Sequence, residues 1–302
     1  MGTPDFSVPC LDALIKDGNE IAAVFTQPDK PKGRKALLTP PPVKVRALED
    51  NIEVFQPVTL KDGEALSILR KLAPEMIVVV AYGKILPKEI LELPIYGCIN
   101  VHASLLPEYR GAAPIQQAIL DGKTVTGVTA MYMDVGLDTG DMLMKTEVCI
   151  GENDNAEQLH DKLSAAGAEL IVKVVHAAKA GTLVREKQDD SKASYVGVLT
   201  KEMSEIDLTK TAQQVHNKIR GLYSWPGAAA KVRGKKVKIH SSRIAQGSGK
   251  AGQVLSLKPL IVACGEGAVE ILELQPEGKK RMDAASFVNG LHITSPEEIS
   301  FS

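Results

Sequence analysis

Four apolar, β-branched runs recur in the first half of the sequence, separated by stretches whose apolar residues follow helical spacing. The runs are Ile21–Thr26, Met76–Tyr82, Cys98–His102 and Thr126–Met133. Strands that alternate with helical patterns are typical of a parallel sheet covered by helices. The first part of the chain is therefore predicted to be α/β.

A long helix is expected after a further apolar segment at Met142–Ile150. Asp154 and Glu157 resemble a capping box at the start of this helix, and Gly181 is placed to end it. Its apolar face would be formed by Leu159, Leu163, Ile171 and Val174. The helix is expected to close a first domain, residues 1–181.

The rest of the chain has a different pattern. Residues 182–200 combine short extended pieces with a polar DDSK cluster, which is typical of a linker. Residues 201–302 contain one helical pattern around residues 212–222, followed by short strands with glycine in the connections. The predicted strands are Ala228–Arg233, Lys235–Ser241, Gln253–Leu257, Leu260–Cys264 and Ala268–Leu274. This pattern predicts a small OB-like β-barrel.

Composition excludes several classes of protein. Of the 302 residues, 44% are hydrophobic and 24% charged, so the chain is neither disordered nor of low complexity. The longest strongly apolar stretch, Met76–Tyr82, is far shorter than the ~20 residues that span a bilayer. The opening residues also lack the features of a secretory signal. We therefore expect a cytoplasmic protein without membrane contact.

The cysteines give no indication of a disulfide framework or a metal site. They lie far apart, form no CxxC pair and have no histidine at metal-ligand spacing. The four are Cys10, Cys98, Cys149 and Cys264. We expect buried, reduced thiols and no metal.

Two glycine-containing motifs do not indicate nucleotide binding. Residues 247–252 match GxGxxG but connect two predicted strands, whereas a dinucleotide fingerprint follows a strand and opens a helix. Residues 121–124 resemble the end of a phosphate loop but lack its first glycine. A nicotinamide-dependent dehydrogenase is therefore disfavoured.

Asn100 and His102 end a predicted buried strand. Period-two alternation places both side chains on one face, at the edge of the sheet where open α/β sheets bind ligands. From these residues alone, a buried hydrogen-bonded pair and a functional pair are equally plausible. The turn-rich exit to Gly111 and the loop Asp134–Asp141, with two glycines and three carboxylates, favour a functional site.

Cationic residues cluster in three places. Residues 201–302 hold 15 Lys and Arg against 10 Asp and Glu, whereas residues 1–200 hold 21 against 27. Four cations lie within Asp29–Lys35 beside prolines, which predicts an exposed basic loop. The other clusters lie at residues 231–243 and 279–281. A solvated surface would explain them, and so would contact with phosphates.

Several segments together resemble the methionyl-tRNA formyltransferase family, over nearly the whole chain. They are GTPDFSVP, FTQPDKPKGRKALLTPPPVK, VVAYGKILP, GCINVHASLLPEYRGAAPIQQAI, MDVGLDTGDM and LQPEGKKRMDAASFVNG. INVH with SLLP and a later DTGD resembles any folate-dependent formyltransferase. The basic loop at residues 28–42 and the extra C-terminal domain resemble the tRNA-directed members.

The resemblance implies a Rossmann-like formyltransferase domain and formyl transfer from 10-formyltetrahydrofolate to methionyl initiator tRNA. By motif, the catalytic residues would be Asn100, His102 and Asp138. The folate-binding residues would be Ser104, Leu105, Leu106, Pro107, Tyr82, Gly83 and Asp134. The tRNA-binding residues would be Lys30, Lys32, Arg34, Lys35, Lys235, Lys236 and Lys238, with Arg34 at the family's key basic position.

These residue types suit the implied reaction. An α-amino group has a reference pKa of ~8, so part of it is neutral at pH 7 and needs no strong base before attack. The tetrahedral oxyanion needs hydrogen-bond donors, which the Asn100 amide and a protonated His102 would supply. Asp138 would orient His102 and, through water, help to move the proton towards the leaving folate nitrogen.

The sequence departs from the family at its start. The family has a hydrophobic first strand directly before GTPDF, whereas this sequence reaches the motif at Met1. A parallel sheet without that strand would lose a central member, and we expect lower stability and weaker folate binding in that case.

Two alternatives remain. A formyltransferase acting on a sugar amine or on glycinamide ribonucleotide would use the same Asn-His-Asp chemistry. A catalytically silent RNA-binding protein would use the basic clusters and leave the α/β domain as a scaffold. Folate binding would distinguish the enzyme from a silent RNA-binding protein. The identity of the amine that is formylated would distinguish the tRNA-directed enzyme from the other formyltransferases. For the tRNA-directed enzyme we expect a monomer.

Overall fold

A computed structural model describes residues 1–33 and 36–302. The helices are α1 (Val8–Lys16), α2 (Pro42–Glu49), α3 (Glu64–Leu72), α4 (Lys88–Leu91), α5 (Pro114–Leu120), α6 (Ala156–Lys179), α7 (Ala212–Gly221) and α8 (Ala284–Gly290). The strands are β1 (Val24–Phe25), β2 (Lys30–Lys32), β3 (Leu37–Thr39), β4 (Val54–Phe55), β5 (Ile77–Val79), β6 (Cys98–His102), β7 (Arg110–Gly111), β8 (Val125–Tyr132), β9 (Met142–Cys149), β10 (Tyr195–Val196), β11 (Ala228–Val232), β12 (Lys235–Ala245), β13 (Val254–Leu257), β14 (Leu260–Ala263), β15 (Ala268–Pro276) and β16 (Met282–Asp283).

The chain forms two compact units that are interleaved in sequence. Unit 1 comprises Met1–Gly111, Val125–Cys149 and His160–Val196. Unit 2 comprises Ala112–Thr124, Ile150–Leu159 and Gly197–Ser302. None of the helices in the described ranges is both long and apolar enough to cross a membrane.

The main sheet of unit 1 has four strands in the order β5-β6-β8-β9. β5 and β6 are parallel, as the sequence pattern predicts, whereas β8 is antiparallel to both β6 and β9. β1 and β4 form a separate parallel pair. The predicted run Cys98–His102 coincides with β6, but only Val24 and Phe25 of the first predicted run are in a strand.

The first two residues of the chain lie between β1 and β5. The amide of Gly2 donates to the carbonyl of Phe25 at 3.0 Å, and the carbonyl of Met1 accepts from the amide of Val80 at 2.9 Å. Burial lowers the pKa of the Met1 amino group to about 6. A cavity of about 420 Å³ adjoins Met1. Residues 21–25 and 75–78 line it.

The predicted long helix is α6. Its predicted apolar face, which includes Leu159 and Leu163, is fully buried. The predicted cap is wrong by one residue: the Asn155 side chain accepts from the amides of Glu157 and Gln158, while the Gln158 side chain accepts from the Asn155 amide. Gly181 follows the helix with φ of +66°, a left-handed conformation that glycine adopts without strain.

Unit 2 is β-rich, as predicted. Its sheet has the strand order β11-β12-β15-β14-β13, with β16 paired to β15, and all pairs are antiparallel. Its core includes Val215 and Ile219 of α7 and Val237 and Ile239 of β12. The predicted OB-like barrel is not confirmed, because the ladders of the described strands leave β11 and β13 as edges and form no closed barrel.

Two further expectations have different outcomes. Residues 247–252, with their GxGxxG pattern, connect β12 to β13 and open no helix, as predicted. The expectation of four buried thiols is wrong for Cys149, which is exposed at the end of β9. The side chains of β9 alternate between more and less exposed positions, and Cys149 falls on the exposed side.

Candidate active site

Asn100 and His102 lie on β6, and strand alternation gives their side chains the same face. The register pairs Asn100 with Val79 of β5 and Met131 of β8, and His102 with Thr129 of β8. His102 is buried and Asn100 is half-buried. β6 therefore ends with two polar side chains on one face of an otherwise apolar strand.

The hydrogen bonds of His102 separate its two ring nitrogens. Nε2 lies 2.9 Å from the carbonyl oxygen of Tyr109, and since a carbonyl only accepts, Nε2 carries a hydrogen. Nδ1 faces Oδ2 of Asp138 at 3.7 Å, which is longer than a hydrogen bond. Nδ1 is therefore the ring nitrogen that remains available for proton transfer.

Asp138 approaches His102 from the loop between β8 and β9. Its Oδ2 accepts a hydrogen bond from the amide of Gly111 at 2.9 Å. Its backbone has φ of +54°, a left-handed conformation that costs a non-glycine residue of order ~1–3 kcal/mol. Such strain persists only where surrounding contacts fix the backbone, and it is concentrated at functional sites.

Asp134 holds the same loop in shape. Its Oδ1 accepts from the amide of Gly136 at 2.9 Å and from the hydroxyl of Thr139 at 2.7 Å. The loop closes on the preceding strand, since the Tyr132 amide donates to the carbonyl of Asp141 at 2.9 Å. These contacts give Asp134 a structural function, and folate binding by this residue stays a prediction.

The predicted folate segment Ser104–Pro107 follows directly after β6. The Ser104 hydroxyl is buried and donates to the carbonyl of Glu108 at 2.6 Å. Leu106 is also buried, in a small cluster with two methionines of β8 and β9. Leu105 and Pro107 are partly exposed, so they are the side chains of this segment that a ligand can contact.

Tyr82 and Gly83 follow β5. Tyr82 is buried, and burial raises the pKa of its hydroxyl to about 12, so it is neutral at physiological pH. Within the described part of the chain, this hydroxyl has no hydrogen-bond partner. The carbonyls of both residues accept from the side-chain amide of Gln27, at 3.1 Å each. Folate binding by Tyr82 and Gly83 stays a prediction.

The basic segment of unit 1 forms a short hairpin. Lys30 and Lys32 lie on β2, which pairs antiparallel with β3, and both lysines are exposed. The predicted exposure is thus confirmed for these two residues. Arg34 and Lys35 lie outside the described residues, so their predicted contact with tRNA is untested.

The basic strand of unit 2 is β12. Lys235 and Lys236 are exposed and Lys238 is half-buried, whereas Val237 and Ile239 between them are buried. This alternation is the one that the sequence predicts. The cations nearby are less available: Arg243 is ion-paired with Glu270, and Arg281 with Glu273.

Sequence reasoning missed two buried polar residues near Asp138. Arg110 is 1% exposed and Gln188 is 6% exposed. Two nitrogens of Arg110 donate to Oε1 of Gln188, at 3.0 and 2.8 Å. The position of Arg110 in the turn-rich segment after the candidate strand is a weak indication of a functional residue. Gln188 is a lone glutamine in a stretch with the composition of a linker, and nothing in the sequence indicates a function for it.

A metal site does not emerge from the geometry. In residues 1–33 and 36–302, no group of three or more His, Cys, Asp or Glu side chains is arranged to hold a metal ion.

Comparison with known proteins identifies the family of both regions. Residues 1–175 match the family described as formyl transferase, and residues 198–292 match the formyl transferase C-terminal domain. The N-formyltransferase of Helicobacter canadensis, solved with folinic acid and dTDP-3-aminofucose, has the same fold with a TM-score of 0.67. It is 20% identical, and the match covers 91% of this chain and 97% of that one.

Closer relatives match over almost the full length. The methionyl-tRNA formyltransferase of Geobacter sulfurreducens is 48% identical over 295 residues, 97% of this chain and 93% of that protein. The methionyl-tRNA formyltransferase of Geotalea daltonii is 50% identical over 297 residues, 98% and 95% of the two chains. With both regions matched and half of the residues identical, the chain belongs to the methionyl-tRNA formyltransferase family.

Proposed function

We propose that the chain transfers the formyl group of 10-formyltetrahydrofolate to the α-amino group of methionine esterified to initiator tRNA. The observation that carries the proposal is the approach of His102 Nδ1 to Asp138 Oδ2 beside Asn100 on β6. The names of the relatives support the acceptor. Folinic acid is a formylated tetrahydrofolate, and its presence in a protein of the same fold supports the donor.

The reaction has two steps that need help. The amine nitrogen forms a bond to the formyl carbon, and the carbonyl oxygen becomes an oxyanion that the Asn100 amide stabilises as a donor. The bond from this carbon to folate N10 then breaks, and the proton lost by the amine ends on N10. Loss of one oxyanion donor typically lowers a rate by ~10²–10³.

His102 moves this proton through Nδ1. Because Nε2 donates to Tyr109, Nδ1 is the nitrogen that accepts from the amine, and Asp138 stabilises the resulting imidazolium. At 3.7 Å, Asp138 Oδ2 forms no hydrogen bond with Nδ1, so Nδ1 can accept a hydrogen bond from the substrate amine or from a water. From the sequence alone, His102 is expected to donate to the oxyanion. That role would also require Nδ1, and we assign Nδ1 to accepting the proton of the amine instead.

The folate is held by the segment after β6 and by neighbouring loops. We assign its binding to Ser104–Pro107 with Tyr82, Gly83 and Asp134. Leu105 and Pro107 contribute apolar contact, because they are the partly exposed side chains of the segment. The cosubstrate is the only cofactor that the mechanism needs.

The tRNA is bound by cations of both units. Lys30 and Lys32 of β2 present exposed charge in unit 1, and Lys235 and Lys236 of β12 do so in unit 2. The half-buried Lys238 lies on the same strand and is assigned to the same contact. Phosphate contacts of this kind supply affinity without reading sequence. We expect Arg34 and Lys35 to take part as well.

We also propose an OB-like closure for unit 2. Support comes from the last residues of the chain, which bond to both edges of the sheet. The Lys231 amide on β11 donates to the carbonyl of Ser302, and the Phe301 amide donates to the carbonyl of Gly252, close to β13, at 2.9 Å. We expect the protein to act as a monomer in the cytoplasm, where translation begins.

Formylation of methionyl initiator tRNA with 10-formyltetrahydrofolate tests the proposal directly. The expected result is N-formylmethionyl-tRNA, together with tight tetrahydrofolate binding measured by calorimetry. Folate binding without tRNA formylation would redirect the assignment to a sugar-amine or glycinamide ribonucleotide acceptor. An absence of folate binding with retained tRNA binding would indicate a catalytically silent RNA-binding protein.

A further inference from the structure

Gln188 is buried within unit 1 and contacts the loop that carries Asp138. We propose that Gln188 is a positioning residue that holds Asp138 in register with His102; this inference rests on the proposed function of that pair. Its side-chain nitrogen donates to the carbonyl of Asp138 at 2.8 Å and to the carbonyl of Gly140 at 2.7 Å. Both contacts are to the backbone on which the Asp138 carboxylate is mounted.

The opposite end of the same amide is fixed by Arg110. Oε1 of Gln188 accepts from Nε at 3.0 Å and from an Nη at 2.8 Å. Arg110 is itself held by Asp190 at 2.8 Å and by the Tyr195 hydroxyl at 3.0 Å. A guanidinium only donates and a carbonyl only accepts, so these partners allow one orientation of the Gln188 amide.

Glutamine meets a demand here that few side chains meet. A primary amide has two N–H donors and two acceptor sites, and all four are used at Gln188. Its neighbours are a buried guanidinium on one side and two carbonyls on the other. A buried network of this kind is rigid when every group is satisfied.

The network supports a strained residue. Asp138 is in the left-handed region, which persists only where neighbouring contacts over-determine the backbone. Gln188 bonds to the carbonyl of Asp138, and the Gly111 amide bonds to its carboxylate at 2.9 Å. Gly111 follows Arg110 on β7, so one strand anchors both the guanidinium and the carboxylate.

The chain segment that contains Gln188 also helps to position His102. The Ser194 hydroxyl accepts from the amide of Tyr109 at 2.8 Å, and the carbonyl of Tyr109 accepts from Nε2 of His102. β10 then pairs with β7, with Tyr195 opposite Arg110. Gln188 and Ser194, which lie in a stretch with the composition of a linker, thus contact the two sides of the His102–Asp138 pair.

Gln188→Glu tests the proposal with almost no change in shape. The carboxylate keeps an acceptor for Arg110 but presents an oxygen to the carbonyls of Asp138 and Gly140, which repels them. The matched control is Asp190→Asn, which makes the opposite exchange on the exposed side of the same arginine and keeps an acceptor there. Asp190 is 80% exposed and its side chain contacts Arg110, not the loop of Asp138.

We expect Gln188→Glu to lower kcat for tRNA formylation by ~10- to 100-fold, because a displacement of about 1 Å at a reacting group costs up to ~100-fold. KM for both substrates is expected to stay within threefold, because Gln188 is buried and its amide bonds only to Arg110 and to the loop carbonyls among the partners named above. Asp190→Asn is expected to retain kcat within twofold. A purely structural role for Gln188 would lower the melting temperature and the yield without this split between kcat and KM.

A second readout does not depend on activity. The Gly111 amide is protected from hydrogen exchange by its bond to the Asp138 carboxylate, so NMR exchange rates report whether that carboxylate is in place. We expect at least ~10-fold faster exchange in Gln188→Glu and no change in Asp190→Asn. If the wild-type chain does not formylate tRNA, the proposed function fails, and the Gly111 exchange rate still decides whether Gln188 positions Asp138.

Two results would overturn the inference: wild-type kcat in Gln188→Glu, or slow Gly111 exchange in that variant. If Gln188→Glu does not fold, Gln188→Met is measured in the same way. It keeps the length of the side chain, adds no charge and removes both donors to the loop. Slow Gly111 exchange in Gln188→Met would likewise overturn the inference.

Discussion

Nδ1 of His102 lies 3.7 Å from Oδ2 of Asp138, while Nε2 of the same ring donates to the carbonyl of Tyr109 at 2.9 Å. The two nitrogens therefore have different functions. Nε2 fixes the ring to the backbone, and Nδ1 faces the carboxylate at a distance longer than a hydrogen bond. A substitution that keeps a donor at the position of Nε2 but lacks Nδ1 can therefore distinguish the structural role of the ring from its role in proton transfer.

His102→Gln retains a donor where Nε2 lies and removes Nδ1. We expect this variant to keep its bond to Tyr109 and melt within a few degrees of wild type, while kcat for formylation falls by ~10²–10⁴, as for loss of a general base. Steady-state kinetics and thermal melts measure both. The control is His160→Gln, which removes a half-buried histidine outside the proposed site. A kcat within tenfold of wild type in His102→Gln would contradict the assignment of Nδ1.

Asn100→Asp replaces the proposed oxyanion donor with an acceptor of the same shape. We expect kcat to fall by ~10²–10³, because an acceptor cannot stabilise the oxyanion. The affinity for tetrahydrofolate, measured by calorimetry, is expected to change little. Asn51→Asp makes the same exchange at an exposed position and should leave both quantities unchanged. Equal losses of kcat and folate affinity would instead make Asn100 a folate-binding residue.

Local periodicity predicted the parts of the site that lie on regular elements. The run Cys98–His102 coincides with β6, and its alternation gives Asn100 and His102 one face. The alternation of KKVKIH likewise predicted which residues of β12 are buried, since burial in a strand repeats every second residue. These features follow from the period of the element and need no long-range information.

Features that depend on residues distant in sequence could not be predicted from the sequence. Gln188 lies 50 residues from Asp138 in sequence, and only the fold brings the two together. The antiparallel direction of β8 is set by its pairing with β6 and not by its own composition. The start of α6 was misplaced by one residue because Asp154 and Asn155 are both good capping residues, and the hydrogen bonds choose Asn155.

Binding of tRNA is expected to depend steeply on salt. Each cation that contacts a phosphate contributes about one unit to the slope of log affinity against log salt. We expect Lys236→Ala with Lys238→Ala to weaken binding and lower that slope by about two, measured by filter binding at several salt concentrations. The control is Lys88→Ala on α4, an exposed lysine paired with Glu92 at 3.5 Å. An unchanged slope in the double variant would remove β12 from the tRNA-binding surface.

The stability of unit 2 is expected to fall in mild acid because of His216. Burial lowers the pKa of this histidine, and nearby Arg220 lowers it further, against the opposing effect of Glu152. Nε2 donates to the carbonyl of Glu152, and Nδ1 accepts from the Ser242 hydroxyl at 3.0 Å, an arrangement of the neutral ring.

Because the folded pKa of His216 is below the unfolded value of ~6.5, the unfolded state binds the proton first as pH falls. The stabilisation is therefore complete above ~6.5 and is lost as pH falls through the folded value. We expect His216→Gln to flatten this dependence, measured by urea denaturation between pH 5 and pH 8. An equally steep dependence in His216→Gln would assign the acid sensitivity to another group.

An apolar extension ahead of Met1 is expected to stabilise unit 1. The cavity of about 420 Å³ beside Met1 is lined by residues 21–25 and 75–78. About five β-branched residues fused before Met1 would fill it and carry the amino group out of the interior. Each side chain that becomes fully buried contributes ~1.5–3 kcal/mol, so we expect a higher melting temperature by calorimetry. A Gly-Ser extension of equal length relieves the buried amino group without filling the cavity, and equal melting temperatures for the two extensions would show that the cavity does not accept a strand.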